Sequence, residues 1–275
     1  MLTATARSRG GIVAAGVLAL ALLAGPLAGG AGAQPTKGSA KAAPICPSST
    51  ANGRFVRFIY LNILGRCPEA AAATYWTAKL DAGGLRWGFA ESIDMSNENV
   101  GVNNVDGLYQ DILGRKPTAE ERTAGFAEIR KNHQDAHIIA ALFSSDEGYK
   151  KNLGAVSAAH DQAWLSEAFT NIVDRKPTAA EVTHYTPLLG SPSTESTRHK
   201  IALSLELSDE NMQGWTGAVI GAGLQRAPKP SDFATWVPWL LTHDRQTFRM
   251  WTHVLSSNEG FALAQTQPNP PPDEH

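Results

Sequence analysis

The chain has 275 residues, 43% of them hydrophobic, with 24 basic and 26 acidic side chains and a formal charge of −2. That apolar content is enough to bury a sizeable core, which excludes disorder throughout. The near balance of charge lacks the basic footprint of a nucleic-acid binder, so no nucleic-acid partner is expected.

Residues 1–33 read as a secretory signal peptide: Arg7 and Arg9, an apolar run from Ile12 to Leu23, then the small-residue site Ala31-Gly32-Ala33. The run is about a dozen residues, short of the roughly 20 a spanning helix needs, so no stable membrane insertion is expected after cleavage. The implied location is secreted, either extracellular or associated with the cell envelope. Residues 34–53, rich in Pro, Ala, Ser, Lys and Gly, read as a linker. An exported chain meets oxidising conditions, and its two cysteines, Cys46 and Cys67, are therefore expected to pair. The closed loop of about 20 residues would stabilise the fold by on the order of 3 kcal/mol.

Four repeated units come next, at residues 54–103, 104–155, 156–213 and 214–264, before a Pro-rich tail at 265–275. Each opens on an apolar helix that runs into a turn, an arginine and a proline: Leu64-Gly65-Arg66-Cys67-Pro68, Leu113-Gly114-Arg115-Lys116-Pro117, Val173-Asp174-Arg175-Lys176-Pro177 and Leu224-Gln225-Arg226-Ala227-Pro228. Gly65 and Gly114 stand where a helix C-terminus favours a left-handed residue. Gln225, with Gly221 and Gly223 before it, predicts an irregular first helix in the fourth unit. Thr118 with Glu121 and Thr178 with Glu181 form capping boxes that start a second helix. Eight residues beyond each proline stand Trp76, Gly125, Tyr185 and Trp236, a pattern that suggests a shared core slot. A third helix carries apolar pairs four apart, such as Phe89 and Ile93 or Ile201 and Leu205. It runs into Ser96-x-Glu98, Ser145-x-Glu147, Ser208-x-Glu210 and Ser257-x-Glu259, where serine caps a short closing helix. No segment alternates as a strand does, so the fold class is all-α: four helical units of about 50 residues, packed as tandem small bundles or a short solenoid.

The unit resembles the bacterial domain-of-unknown-function 4214 family. The likeness rests on the helix ending in Leu-Gly-Arg, a polar residue and Pro, then Tyr75-Trp76, and the Ser-x-Glu close. The third unit departs from the pattern at Asp174 and the fourth at Gln225. The resemblance implies an exported or surface-associated protein and supplies no catalytic residues. A fainter similarity to the helical linker domains of phycobilisomes implies a role that export argues against.

Arg66, Arg115, Arg175 and Arg226 recur with Glu98, Glu147, Glu210 and Glu259 at near-constant separation. Each arginine is expected to fold back over its helix C-terminus and pair with the glutamate of its unit, a structural role. His133 and His137, four apart, could share one helix face, but Gln134 replaces the glutamate of the zinc-protease pattern, and neither a metal nor a cofactor is expected. The run Asp94 to Asn99 lacks the glycine and distal glutamate of a calcium loop and reads as a helix cap. Trp87 and Trp239 are the candidate ligand-binding residues, whereas Trp76, Trp236 and Trp251 read as core. No catalytic residue is assigned. These features lead to a non-catalytic binding or spacing module whose partner is an envelope glycan or a surface protein, with a secreted polysaccharide-active or other hydrolytic enzyme as the alternative.

Overall fold

A computed structural model describes residues 48–267 of the chain. Residues 1–33, which read as a signal peptide, Cys46 and the end of the tail lie outside the described residues. The protein is all-α: among the described residues no strand forms, and one isolated bridge joins Gly190 and Ser193.

In each unit the first helix is α1 (Ala51–Leu64), α4 (Gly107–Leu113), α8 (Ala158–Ile172) and the second half of α11 (Asp209–Leu224). The second helices are α2 (Ala70–Asp81), α5 (Ala119–Asn132), α9 (Ala179–Leu189) and α12 (Pro230–Thr242). The third are α3 (Arg86–Asp94), α6 (Ala136–Ser144), α10 (Glu195–Glu206) and α13 (Thr247–Ser256). The closing segments are a π-helix (Glu98–Asp106), α7 (Asp146–Leu153), the start of α11, and α14 (Asn258–Thr266). The first helix starts three residues before the boundary expected from composition, because the Thr50 hydroxyl accepts from Gly53 N at 3.0 Å and so satisfies a free helix-end N–H.

The serine caps recur in all four units. Ser96, Ser145, Ser208 and Ser257 each accept, through Oγ, from the backbone N–H three residues on. The residue that donates to the cap alternates between glycine and asparagine. In the second and fourth units it is Gly148 and Gly260, where a Cβ would collide with Leu142 O and Leu255 O. In the first and third it is Asn99 and Asn211, whose amides donate back to Asp94 O (2.9 Å) and Glu206 O (2.6 Å). The asparagine units do not end on a short helix of their own. Their closing segment continues into the first helix of the next unit, as the π-helix into α4 and as the single helix α11. Between the second and third units Gly154, at φ 80°, breaks the chain instead.

The expected irregularity of the fourth unit's first helix does not occur. Gln225 adopts the left-handed conformation (φ 52°, ψ 37°) and closes a regular helix of 16 residues. That helix is started by the Ser208 cap one unit earlier. Gly223 is where the Trp251 ring approaches, 2.8 Å from a would-be Cβ, so this glycine serves packing.

Apolar burial falls into two clusters. One joins the second and third units through Leu108, Ile129, Phe143, Trp164, Phe169 and Ile201. The other joins the first unit to the last through Phe55, Ile59, Phe89, Met212, Trp215, Ile220 and Trp251. Each cluster is built where two third helices meet, α6 on α10 and α3 on α13, and α1 also packs on α14. The chain therefore closes on itself as two paired bundles, an arrangement that an open solenoid with contacts only between sequence neighbours would not produce. The second helices flank these pairs and give the cores one buried apolar side chain each, Leu80, Ile129, Leu189 and Leu240, while most of their other residues face outwards. That is why Trp76, Tyr185 and Trp236 are only partly buried and do not fill one shared core slot, while Gly125 is buried under Val105.

Candidate functional site

Each recurring arginine sits in a three-way lock. Its Nε and Nη2 donate to both oxygens of the unit's closing glutamate, at 2.5–2.6 Å for Arg66 on Glu98, 2.6–2.9 Å for Arg115 on Glu147, 2.6–2.7 Å for Arg175 on Glu210 and 2.5–3.1 Å for Arg226 on Glu259. Two-pronged bonding of this kind fixes orientation as well as distance. A second acid closes the other side: Arg115 on Glu121, Arg175 on Glu181 and Arg226 on Asp232, each at 2.7–2.9 Å. In the first unit Glu69 takes that place, at 2.8 Å. The guanidinium groups also lie over Tyr60, Tyr109 and Phe169, 5.3–5.6 Å from the ring centres.

The carbonyl each arginine reaches is that of the next residue, for example Lys116 O at 3.1 Å, so the expected fold-back over the helix C-terminus brings it to none of the last helical carbonyls. The reason is positional: the left-handed residue before the arginine has already turned the chain away from the helix axis. Sequence reasoning does not single out the second acid as a lock partner, because capping already explains Glu121 and Glu181. Its signal is an acid six residues beyond the arginine in three units. The arginine partners hold the Glu121, Glu181 and Asp232 carboxyls down to about 2.

Across each pair of units a further arginine acts as anchor. Arg86 donates to Asn258 Oδ1 (2.7 Å) and lies 4.5 Å from the Phe261 ring centre. Arg198 donates to Asp146 Oδ1 (2.6 Å) and lies 4.8 Å from the Tyr149 ring centre. Arg86 and Arg198 both stand ten residues before a capping serine, and their targets stand one and four residues after one. The two junctions are thus built on one plan.

Trp87 and Trp239, the sequence candidates, come together at the first–last junction around His253. The Trp87 ring stacks on the His253 imidazole at 5.2 Å and 11°, and Trp239 meets the same imidazole edge-on at 5.6 Å. Trp239 also stacks on His243 (4.4 Å, 11°) and contacts Trp236 edge-on at 5.7 Å. Both tryptophans are half-buried and His243 is exposed, so the rings form a shelf open to solvent. Burial lowers the His253 proton affinity below the ordinary histidine value, opposed by the nearby Glu91 and reinforced by Arg249 and His243. At neutral pH the imidazole is therefore an uncharged stacking partner. His253 and His243 carry no motif that would mark them in the sequence: His243 follows Trp239 by one turn, but nothing local ties His253 to Trp87 or Trp239.

His133 and His137 do not share a helix face. His133 ends α5 in the left-handed conformation (φ 52°) and His137 lies in α6, because Gln134 and Asp135 break the helix between them. Among the described residues no group of three or more His, Cys, Asp and Glu gathers as a metal site. Cys67 is not a free thiol, and Cys46, its expected partner, lies outside the described residues. No described helix is long and apolar enough to cross a membrane.

The fold and its locks define a class first: an all-α protein of four arginine-locked helical units closed into two pairs. Residues 34–103, which include the first unit, match the family model described as domain of unknown function DUF4214. No curated protein and no solved structure matches the chain.

Proposed function

We propose that the protein is a secreted, non-catalytic binding or spacing module of the cell envelope or extracellular matrix, and that it holds an envelope glycan on the Trp87–Trp239 shelf. The observation that carries this reading is the convergence of Trp87 and Trp239, 152 positions apart in sequence, on one histidine at a solvent-open junction. Partly exposed indole rings suit the C–H faces of sugar rings, and histidine edges beside them supply hydrogen bonds. The most prominent charged residues are already engaged in the locks, which supports a scaffold role for them. Secretion rests on the first 33 residues, and the Cys46–Cys67 bridge remains part of this proposal.

The test is co-sedimentation of wild-type protein and of Trp87→Ala, Trp239→Ala and the double variant with insoluble cell-wall polysaccharide. Binding should weaken at least tenfold in the double variant while far-ultraviolet circular dichroism is retained. Undiminished binding by a folded double variant would remove the shelf from the proposal.

A further inference from the structure

A polar recess lies between the first and last units. Asp94 at the end of α3 is 2% exposed, and its Oδ1 accepts from Asn99 Nδ2 at 3.0 Å. Its Oδ2 is buried and meets no hydrogen-bonding group of the protein. The recess is lined by Asp94, Asn62, Asn99 and Asn104, with Trp215 and Trp251 of the last unit among its apolar walls. It has about 10 Å³ of space for the centre of a water-sized molecule, enough for one water. Asn62 donates to Phe58 O and Asn104 to Asn99 O, each at 2.8–2.9 Å, which leaves their amide oxygens as acceptors.

The π-helix makes this arrangement. Its wider turn sets Asn99 and Asn104, five residues apart, in direct contact at the recess. The corresponding stretch after Ser208 is ordinary α-helix, although it opens with the same Ser-x-Glu-Asn.

We propose that the recess is a binding site for one water molecule, held by Asp94 standing as a neutral acid, and that this proton keeps the first and last units joined. The proton belongs on Oδ2, since Oδ1 is occupied as an acceptor. Oδ2–H donates to the water, and the water donates to the amide oxygens of Asn62 and Asn104. A lone ionised carboxylate in this place would be desolvated with one amide to bond it, which is costly. Burial first, and then the charge of Glu91 one turn earlier, push the Asp94 carboxyl well above its ordinary range. Glu91 is itself paired with Arg249 of α13, at 3.1 Å. The side chains lining the recess from α1, the π-helix, α11 and α13 are asparagines and apolar or aromatic residues that carry no charge.

Linkage sets the direction of the pH dependence. Between the unfolded aspartate value near 4 and its raised folded value, the native state keeps a proton that the unfolded chain releases, so stability falls as pH rises through that window. The experiment compares the folding constants of wild type and Asp94→Asn by urea unfolding from about pH 4.5 to 8. The wild-type to variant ratio should fall about tenfold per pH unit until Asp94 ionises in the folded state, then level off. A ratio independent of pH overturns the proposal. If the variant does not fold, carboxyl ¹³C NMR of the wild type decides: an Asp94 resonance that titrates with the exposed carboxylates refutes the neutral acid. A long-lived water cross-peak to the Asn104 amide is expected, and its absence overturns the water site.

Discussion

The first–last junction and the middle junction share a skeleton and differ in what fills it. In both, an arginine ten residues before a capping serine crosses to the opposite closing helix and covers an aromatic ring. The middle junction seals this contact with buried polar groups: Arg198 is fully buried, and Asp161 accepts from Ser193 N (3.0 Å) and Ser193 Oγ (2.6 Å). The first–last junction leaves Arg86 partly exposed and adds the Trp87, Trp236, Trp239, His243 and His253 rings. In the middle pair the matching positions are His199, Gly125, Glu128, Asn132 and Ala141. There Asn132 donates to Glu128 at 2.6 Å where the other junction stacks Trp239 on His243. Two contacts on one plan have diverged, one towards closure and one towards an open aromatic surface, and the open one is the better candidate for binding.

The largest expected effect separates these two roles. Arg198→Ala removes a fully buried side chain and leaves the buried acceptors Ser144 O and Ser193 Oγ without their donor, while Asp146 stays in reach of solvent, and should cost about 2–5 kcal/mol in urea unfolding. Arg86→Ala, at a part-exposed site, should cost less than about 1 kcal/mol. Equal losses would break the comparison. Next come the glycines of the even-numbered units. Gly148→Ala and Gly260→Ala each force a Cβ onto a backbone carbonyl and should cost about 1–3 kcal/mol, read as a lowered melting temperature in calorimetry. A neutral outcome at either would show that the closing helix shifts freely there.

The smallest effect is acid sensitivity of the locks. Glu121, Glu181 and Asp232 are held down to about 2, so each contributes stability that is present above the unfolded carboxylate value near 4 and lost as pH falls towards 2. Because these pairs are partly solvated, Glu121→Gln and Glu181→Gln should each cost no more than about 1 kcal/mol at pH 7. The difference from wild type should shrink when unfolding is repeated in acid.

Much of this architecture is legible in the residues. The arginine–glutamate separations of 32, 32, 35 and 33 residues mark pairs that the fold brings together. The serine caps and both Thr–Glu capping boxes form where the spacing places them. The second acid of each lock is hidden because capping already accounts for Glu121 and Glu181. Trp87 and Trp239 stand out by type, but nothing local places them against one histidine.

The amino-acid sequence by itself determined the helices, their ends and the lock within each unit, since capping, left-handed turns and charge pairing act over a few residues or within one repeat. Only the tertiary structure decided that the first unit closes on the last and the second on the third. Apolar periodicity dictates which face of a helix must leave water, but many apolar faces would cover it equally well. The choice among them depends on shape at the junction, where Trp251 fits over Gly223 and an arginine meets the opposite cap.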